Sequence, residues 1–113
     1  MIEIIYKESP DLRGATLQVR GHSGRSKIGD DIVCSAVSIL TYTVAQIFTA
    51  MDRGGDFKKP AVIRLESGDA EISAVCIDDD SYGEAARVML YAVTGYRLLA
   101  TNYPEYVSIG EDI

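Results

Sequence analysis

His22 is the only histidine of the chain, and Cys34, one of its two cysteines, follows twelve positions later. These two residue types can together break an acyl bond. A thiolate is a strong nucleophile, whereas a thiol is not. An imidazole within reach can take the thiol proton and later return it to a leaving amine. Backbone N–H groups at a helix start can hold the oxyanion that forms on the attacked carbonyl. They also favour a thiolate, because the start of a helix carries partial positive charge. The sequence places Cys34 where that help is expected, in the first turn of a helix that follows Asp30-Asp31. The two carboxylates act against it, since a close negative charge disfavours a thiolate unless it orients the histidine instead.

For this chemistry to occur, the two side chains must be brought to one place. Arg20, Gly21 and His22 end a run in which Ala15, Leu17 and Val19 alternate with Thr16, Gln18 and Arg20. That alternation predicts a half-buried strand over 12–20. His22 shares the parity of Arg20 and is expected on the wet side. Residues 23–29 form a glycine-punctuated loop containing Ser23, Gly24 and Gly29. It is either a plain connection or a mobile substrate-binding segment. Asp30 or Asp31 then caps a helix. Asp31, Cys34, Ser38 and Thr41 are spaced by three or four and so share one face of it. Ile32, Ala36, Ile39, Val44, Ile47 and Met51 are expected among its packing positions.

The remaining elements supply the frame. Residues 2–7 read as a strand, with a turn at Glu8-Ser9-Pro10-Asp11. Residues 61–66 and 70–77 flank Ser67-Gly68-Asp69, which signals a hairpin. Cys76 has the parity of Ile72 and Ala74 and reads as a small buried residue. Asp78-Asp79-Asp80 precede a second helix over about 81–102, with Ser81 and Glu84 fitting a capping box. Ala85, Ala86, Met89, Leu90, Val93 and Tyr96 form its apolar stripe, in which Gly95 is a weak point. Tyr106, Val107 and Ile109 suggest a short last strand. The expected order is ββαββα plus a fifth strand: an α+β two-layer sandwich, a mainly antiparallel sheet against two long helices, in one domain over 1–113.

Composition narrows the classes. With 47% hydrophobic and 25% charged residues, the chain is ordinary for a soluble globular protein. A net charge of −6 disfavours nucleic acid as a partner and suits a basic protein or peptide. Ile32 to Met51 carries no charge over about the length of a membrane span. Its Ser, Thr and Gln residues favour burial between a sheet and a second helix or subunit. Two cysteines and an N-terminus that enters strand-like alternation at once point to a reducing, cytoplasmic setting. His22, Cys34 and Cys76 fall short of a structural zinc site, and the cysteines are too far apart for a redox pair. No cofactor is expected.

The segment GHSG…GDDIVCSAVS resembles the signature of the ribosomal-processing cysteine proteases, the Prp (YsxB-like) family. There the pattern runs roughly Gly-His-Ala-Gly, a short loop, then Gly-x-Asp-Ile-Val-Cys-Ala-Ala-Val-Ser. The resemblance implies a cytoplasmic, typically dimeric cysteine endopeptidase that removes a short N-terminal extension from large-subunit ribosomal protein bL27. It implies Cys34 as nucleophile and His22 as general base. Asp31 and Ser38 fall on motif positions with supporting roles, and the loop with Gly21, Ser23, Gly24 and Gly29 moves over the substrate. Ser23 and Ser35 stand where the family has alanine. Arg25-Ser26-Lys27 makes the loop basic where aromatic or acidic residues are common, which bears on substrate preference. Two other readings fit the residues: a dimeric ribosome-associated binding protein with a packed Cys34 and His22, and a small-molecule thiol hydrolase using the same pair.

Overall fold

The computed structural model describes residues 1–22 and 28–112, with the side chains of 28–31 and 111–112 outside that description. The strands are β1 (Ile2–Ser9), β2 (Gly14–Arg20), β3 (Val62–Glu66), β4 (Asp69–Val75) and β5 (Val107–Asp112). The helices are α1 (Ile28–Arg53) and α2 (Asp79–Asn102). The sheet order is β3-β4-β2-β1-β5. Every neighbouring pair is antiparallel except β1 and β5, which run parallel. This is the expected α+β sandwich with a mainly antiparallel sheet.

Alternation decides which face the helices cover. Ile2, Ile4 and Tyr6 of β1, Ala15, Leu17 and Val19 of β2, and Ala70, Ile72 and Ala74 of β4 are all buried. They meet Val33, Val37, Val44 and Phe48 of α1 and Met89, Val93 and Tyr96 of α2 in one core. Each large side chain so buried contributes about 1.5–3 kcal/mol. The opposite face carries a polar ladder. Thr16 and Ser73 share a hydrogen bond of 3.0 Å, and Gln18 Nε2 donates to Glu71 Oε1 at 2.9 Å. Both are cross-strand pairs in the β2–β4 register.

Several local expectations are corrected. β2 starts at Gly14 because Pro10–Leu12 form a 3₁₀ turn closed by Arg13 at φ 54°, which leaves Leu12 exposed. α2 is capped by Asp78, whose side chain accepts from the Ser81 N–H while Ser81 Oγ receives the Asp78 N–H. Ser81 is therefore the third residue of the helix rather than its cap. Asp79 and Asp80 occupy the first turn, where the helix field favours acid. In α1, Ile32 and Ile39 point outward instead of packing, and Val33, Val37, Val44, Ala45, Phe48 and Met51 form the buried face. Ile32–Arg53 is long and apolar enough to cross a bilayer by length and composition, yet this inner face lies in the core.

At Gly95 α2 packs closely on α1. A methyl group there would sit 2.7 Å from Leu40 Cδ1, so a position that weakens the isolated helix permits close packing. One residue on, the Tyr96 hydroxyl meets Thr41 Oγ1 at 2.7 Å, and Thr41 also donates to the Val37 carbonyl at 2.8 Å. Burial pushes the Tyr96 phenol up to about 12. A raised acid is neutral in the fold when it would ionise in the unfolded chain. Its stabilisation is therefore full below pH 10 and lost as pH climbs from about 10 toward about 12. Tyr96→Phe is expected to cost about 1 kcal/mol at pH 7, about 4 °C in Tm. It should also flatten the alkaline fall in Tm, as thermal melts across pH 7–11 would read.

Candidate active site

The end of β2, the middle of α1 and the β3–β4 turn enclose a cleft of about 320 Å³. His22 and Cys34 both line it, so two side chains separated by eleven residues of chain meet at one cavity. His22 is exposed and Cys34 is half-buried. Gly21 at φ +98° ends the strand alternation before the histidine, so His22 shares the cleft with Ile2, Val19 and α1 instead of following Arg20 by parity. Ser38 and Thr41 line the same cleft, together with Val37 and Tyr42. The spacing of these side chains along α1 is that of one helix face turned to one cavity.

The onset of α1 corrects one part of the chemical expectation. The helix begins at Ile28, so Gly29, Asp30 and Asp31 lie in its first turn and Cys34 in its second. A glycine costs little there, because first-turn N–H groups have no intrahelical partner in any case. The thiol is consequently one turn further from the open end, where the helix field has faded, and the backbone N–H of Cys34 is committed to the helix. Activation by a first-turn position is withdrawn. The imidazole of His22 lines the same cleft and is a group that can accept a thiol proton. Ser23 and Gly24 lie outside the described residues, as does the side chain of Asp31.

His22 is tethered through its backbone. The Gly21 N–H donates to the Gly68 carbonyl at 2.9 Å, and the Met1 ammonium donates to the His22 carbonyl at 2.7 Å. The first bond extends the β2–β4 register, in which Arg20 faces Asp69, and the second extends the β1–β2 register. The far wall of the cleft is therefore the hairpin from Leu65 to Ala70, which sequence reading marked as a turn without connecting it to the histidine. Leu65 is 42% exposed and Tyr42 is 55% exposed, giving the cleft apolar surface suited to a side chain. Glu66 and Asp69 add negative charge. Arg64 Nη1 donates to Asp69 Oδ2. Asp69 Oδ1 is buried with no hydrogen-bond partner among the described residues, and Arg20 Nε stands 3.9 Å away.

The second thiol stands in contrast. Cys76 is 3% exposed and bridges to Phe57 beside the core. Burial, with Asp56 and Asp78 nearby, pushes its thiol up and keeps it protonated. Neither cysteine is in a disulfide.

The sequence profile of a family described as cysteine protease Prp matches residues 1–108. No curated protein matches the chain in sequence. Among solved structures, the chain is similar to the essential ribosomal processing protease Prp from S. aureus in complex with a covalently linked product peptide. The TM-score is 0.71 at 17% identity, covering 99% of this chain and 100% of that one. It is also similar to SMU.848 from Streptococcus mutans, with a TM-score of 0.68 at 23% identity, covering 98% and 93%. The S. aureus protease with a substrate peptide gives a TM-score of 0.68 at 15% identity, covering 99% and 100%. These likenesses extend over the whole sheet and both helices.

Proposed function

The chain belongs to the cysteine protease Prp family, and on that footing we propose that Cys34 and His22 are its catalytic pair and the N-terminal extension of ribosomal protein bL27 its substrate. The observation that carries the pairing is their shared cleft. His22 takes the proton of the Cys34 thiol as sulfur attacks the scissile carbonyl. The resulting tetrahedral oxyanion collapses, and the imidazolium gives its proton to the leaving amine. A thioester to Cys34 remains. Water, deprotonated by the same imidazole, attacks it and releases the carboxyl product and the thiol. Ser38, on the Cys34 face of α1 and on the cleft wall, and Asp31 take supporting roles.

Three further points support the substrate reading. The net charge of −6 and the cleft residues Glu66 and Asp69 suit a basic ribosomal protein. The fold is that of a protease whose solved structures carry a product and a substrate peptide. The apolar cleft wall suits a peptide side chain. This reading makes 1–113 one protease domain working in the cytoplasm, where ribosomal proteins are assembled.

The outer surface of the helix layer bears on assembly. Ile32 (52% exposed), Ile39 (63%), Tyr91 (66%) and Leu98 (60%) stand in solvent there. Exposed apolar surface of this kind marks contact sites, which supports our proposal that the protein pairs as a homodimer through this layer. Ile39→Glu combined with Tyr91→Glu is expected to halve the mass by sedimentation equilibrium at micromolar concentration. An unchanged mass would remove this face as the interface.

The substrate is tested with a peptide spanning the extension and mature start of the host bL27, read by mass spectrometry. A single cut at the extension boundary is expected. An intact peptide, from enzyme that cleaves other peptides, would overturn the bL27 assignment.

A further inference from the structure

We infer that Gly68, in the turn of the β3–β4 hairpin, is the positioning residue for the His22 imidazole. The inference rests on His22 acting as the base of the reaction.

Gly68 is one of two residues between β3 and β4 and holds φ +74°, a left-handed conformation that favours glycine. Its carbonyl accepts from the Gly21 N–H at 2.9 Å, so turn and catalytic strand are tied one residue before the histidine. The imidazole lies over the place where any other residue would carry Cβ. A methyl group at 68 would overlap His22 Nε2 and stand 2.7 Å from Cε1 and 3.0 Å from Cδ2. The ring therefore rests on bare backbone. His22 is otherwise exposed, so this contact limits where the ring can go across the cleft from Cys34. The collision at 68 involves a side-chain tip that has solvent on its other side. A side chain at 68 would displace the ring before it disrupted the fold. Catalysis is sensitive to such a shift, because misplacing a reacting group by about 1 Å costs about 10²-fold.

Two effects of substitution must be separated: backbone strain at positive φ and eviction of the ring. Gly55 supplies the control. It has φ +81° and nothing within 4 Å of a Cβ, so Gly55→Ala carries the strain alone. Gly68→Asn carries mainly the eviction, since asparagine tolerates this conformation. Gly68→Ala carries both.

The experiment combines peptidase kinetics with NMR of the imidazole, which is the only one in the chain. In the wild type, nuclear Overhauser contacts are expected between the His22 ring protons and the Gly68 α protons. Gly68→Asn and Gly68→Ala are expected to lower kcat about 10²-fold with KM nearly unchanged. They should shift the ring signals and carry the pH profile of kcat/KM toward that of His22→Ala, while Gly55→Ala keeps full activity. A folded Gly68→Asn with wild-type kcat and unmoved ring signals would overturn the inference. So would a wild type without the ring-to-Gly68 contacts, a measurement that needs no variant to fold. If His22→Ala itself cleaves normally, the catalytic assignment of His22 fails, and the ring contacts and shifts still decide whether Gly68 holds it.

Discussion

Cys34→Ala is expected to abolish cleavage of the bL27 extension peptide, a loss of about 10⁴-fold or more, while leaving the fold intact. The size follows from the role. Without sulfur there is no covalent intermediate, and no other thiol lines the cleft. Cys76 is buried beside Phe57, with its thiol held protonated. The stability cost is small because Cys34 is half-buried on a helix, and alanine is the best helix former. A pair of serine variants separates chemistry from packing. Cys34→Ser retains size and loses activity. Cys76→Ser places a hydroxyl in the core, costs about 1–3 kcal/mol, and retains activity while the protein is folded. Peptide cleavage and thermal melts on the same four samples read both axes.

His22→Ala is expected to lower kcat/KM by about 10²–10⁴-fold, equivalent to about 3–5 kcal/mol of barrier. The loss is smaller than for Cys34 because a thiol keeps appreciable nucleophilicity without its base. Solvent takes over proton removal, so the residual rate should climb with pH as hydroxide becomes available. Raising the pH is therefore expected to narrow the gap to wild type, which no alkaline shift could do for Cys34→Ala. Tm should barely change, since the imidazole is exposed and rests on glycine. A large fall in Tm would instead assign His22 a packing role. Rates and melts measured across pH 6–9 distinguish the two.

The parts of this site that could be read from sequence are those fixed by local pattern. The alternation of β2 places Val19 in the core and Arg20 in solvent, and the three-and-four spacing along α1 places Cys34, Ser38 and Thr41 on one wall. Both follow from the periods of strand and helix. The turn at Ser67-Gly68 is equally local. Its meeting with His22 is not, because it depends on β4 pairing with β2, fifty residues earlier, in a register that sets Arg20 against Asp69. Nothing in either strand alone specifies that partner. The parallel pairing of β5 with β1 has the same character. The onset of α1 at Ile28 is hard to read from sequence for another reason. Gly29 and Asp30 suggest loop and cap, yet both are tolerated in a first helical turn, so the local signal fits two starting points. Ile32 and Ile39 differ from expectation because an apolar residue reads as inward by default. On α1 the buried stripe is instead Val33, Val37, Val44 and Phe48, and Ile32 and Ile39 stand exposed.

The most direct test of the central claim is a peptide chloromethyl ketone built on the residues that precede the bL27 cut. It places an electrophile where the scissile carbonyl would bind. After incubation at neutral pH, peptide mapping by mass spectrometry reads which side chain carries the adduct. One adduct per chain on Cys34, none on Cys76, and slower labelling in His22→Ala are the predicted results. A Cys34 that stays unmodified while the enzyme is inactivated, or an adduct on any other side chain, would contradict the assignment of Cys34 as the nucleophile.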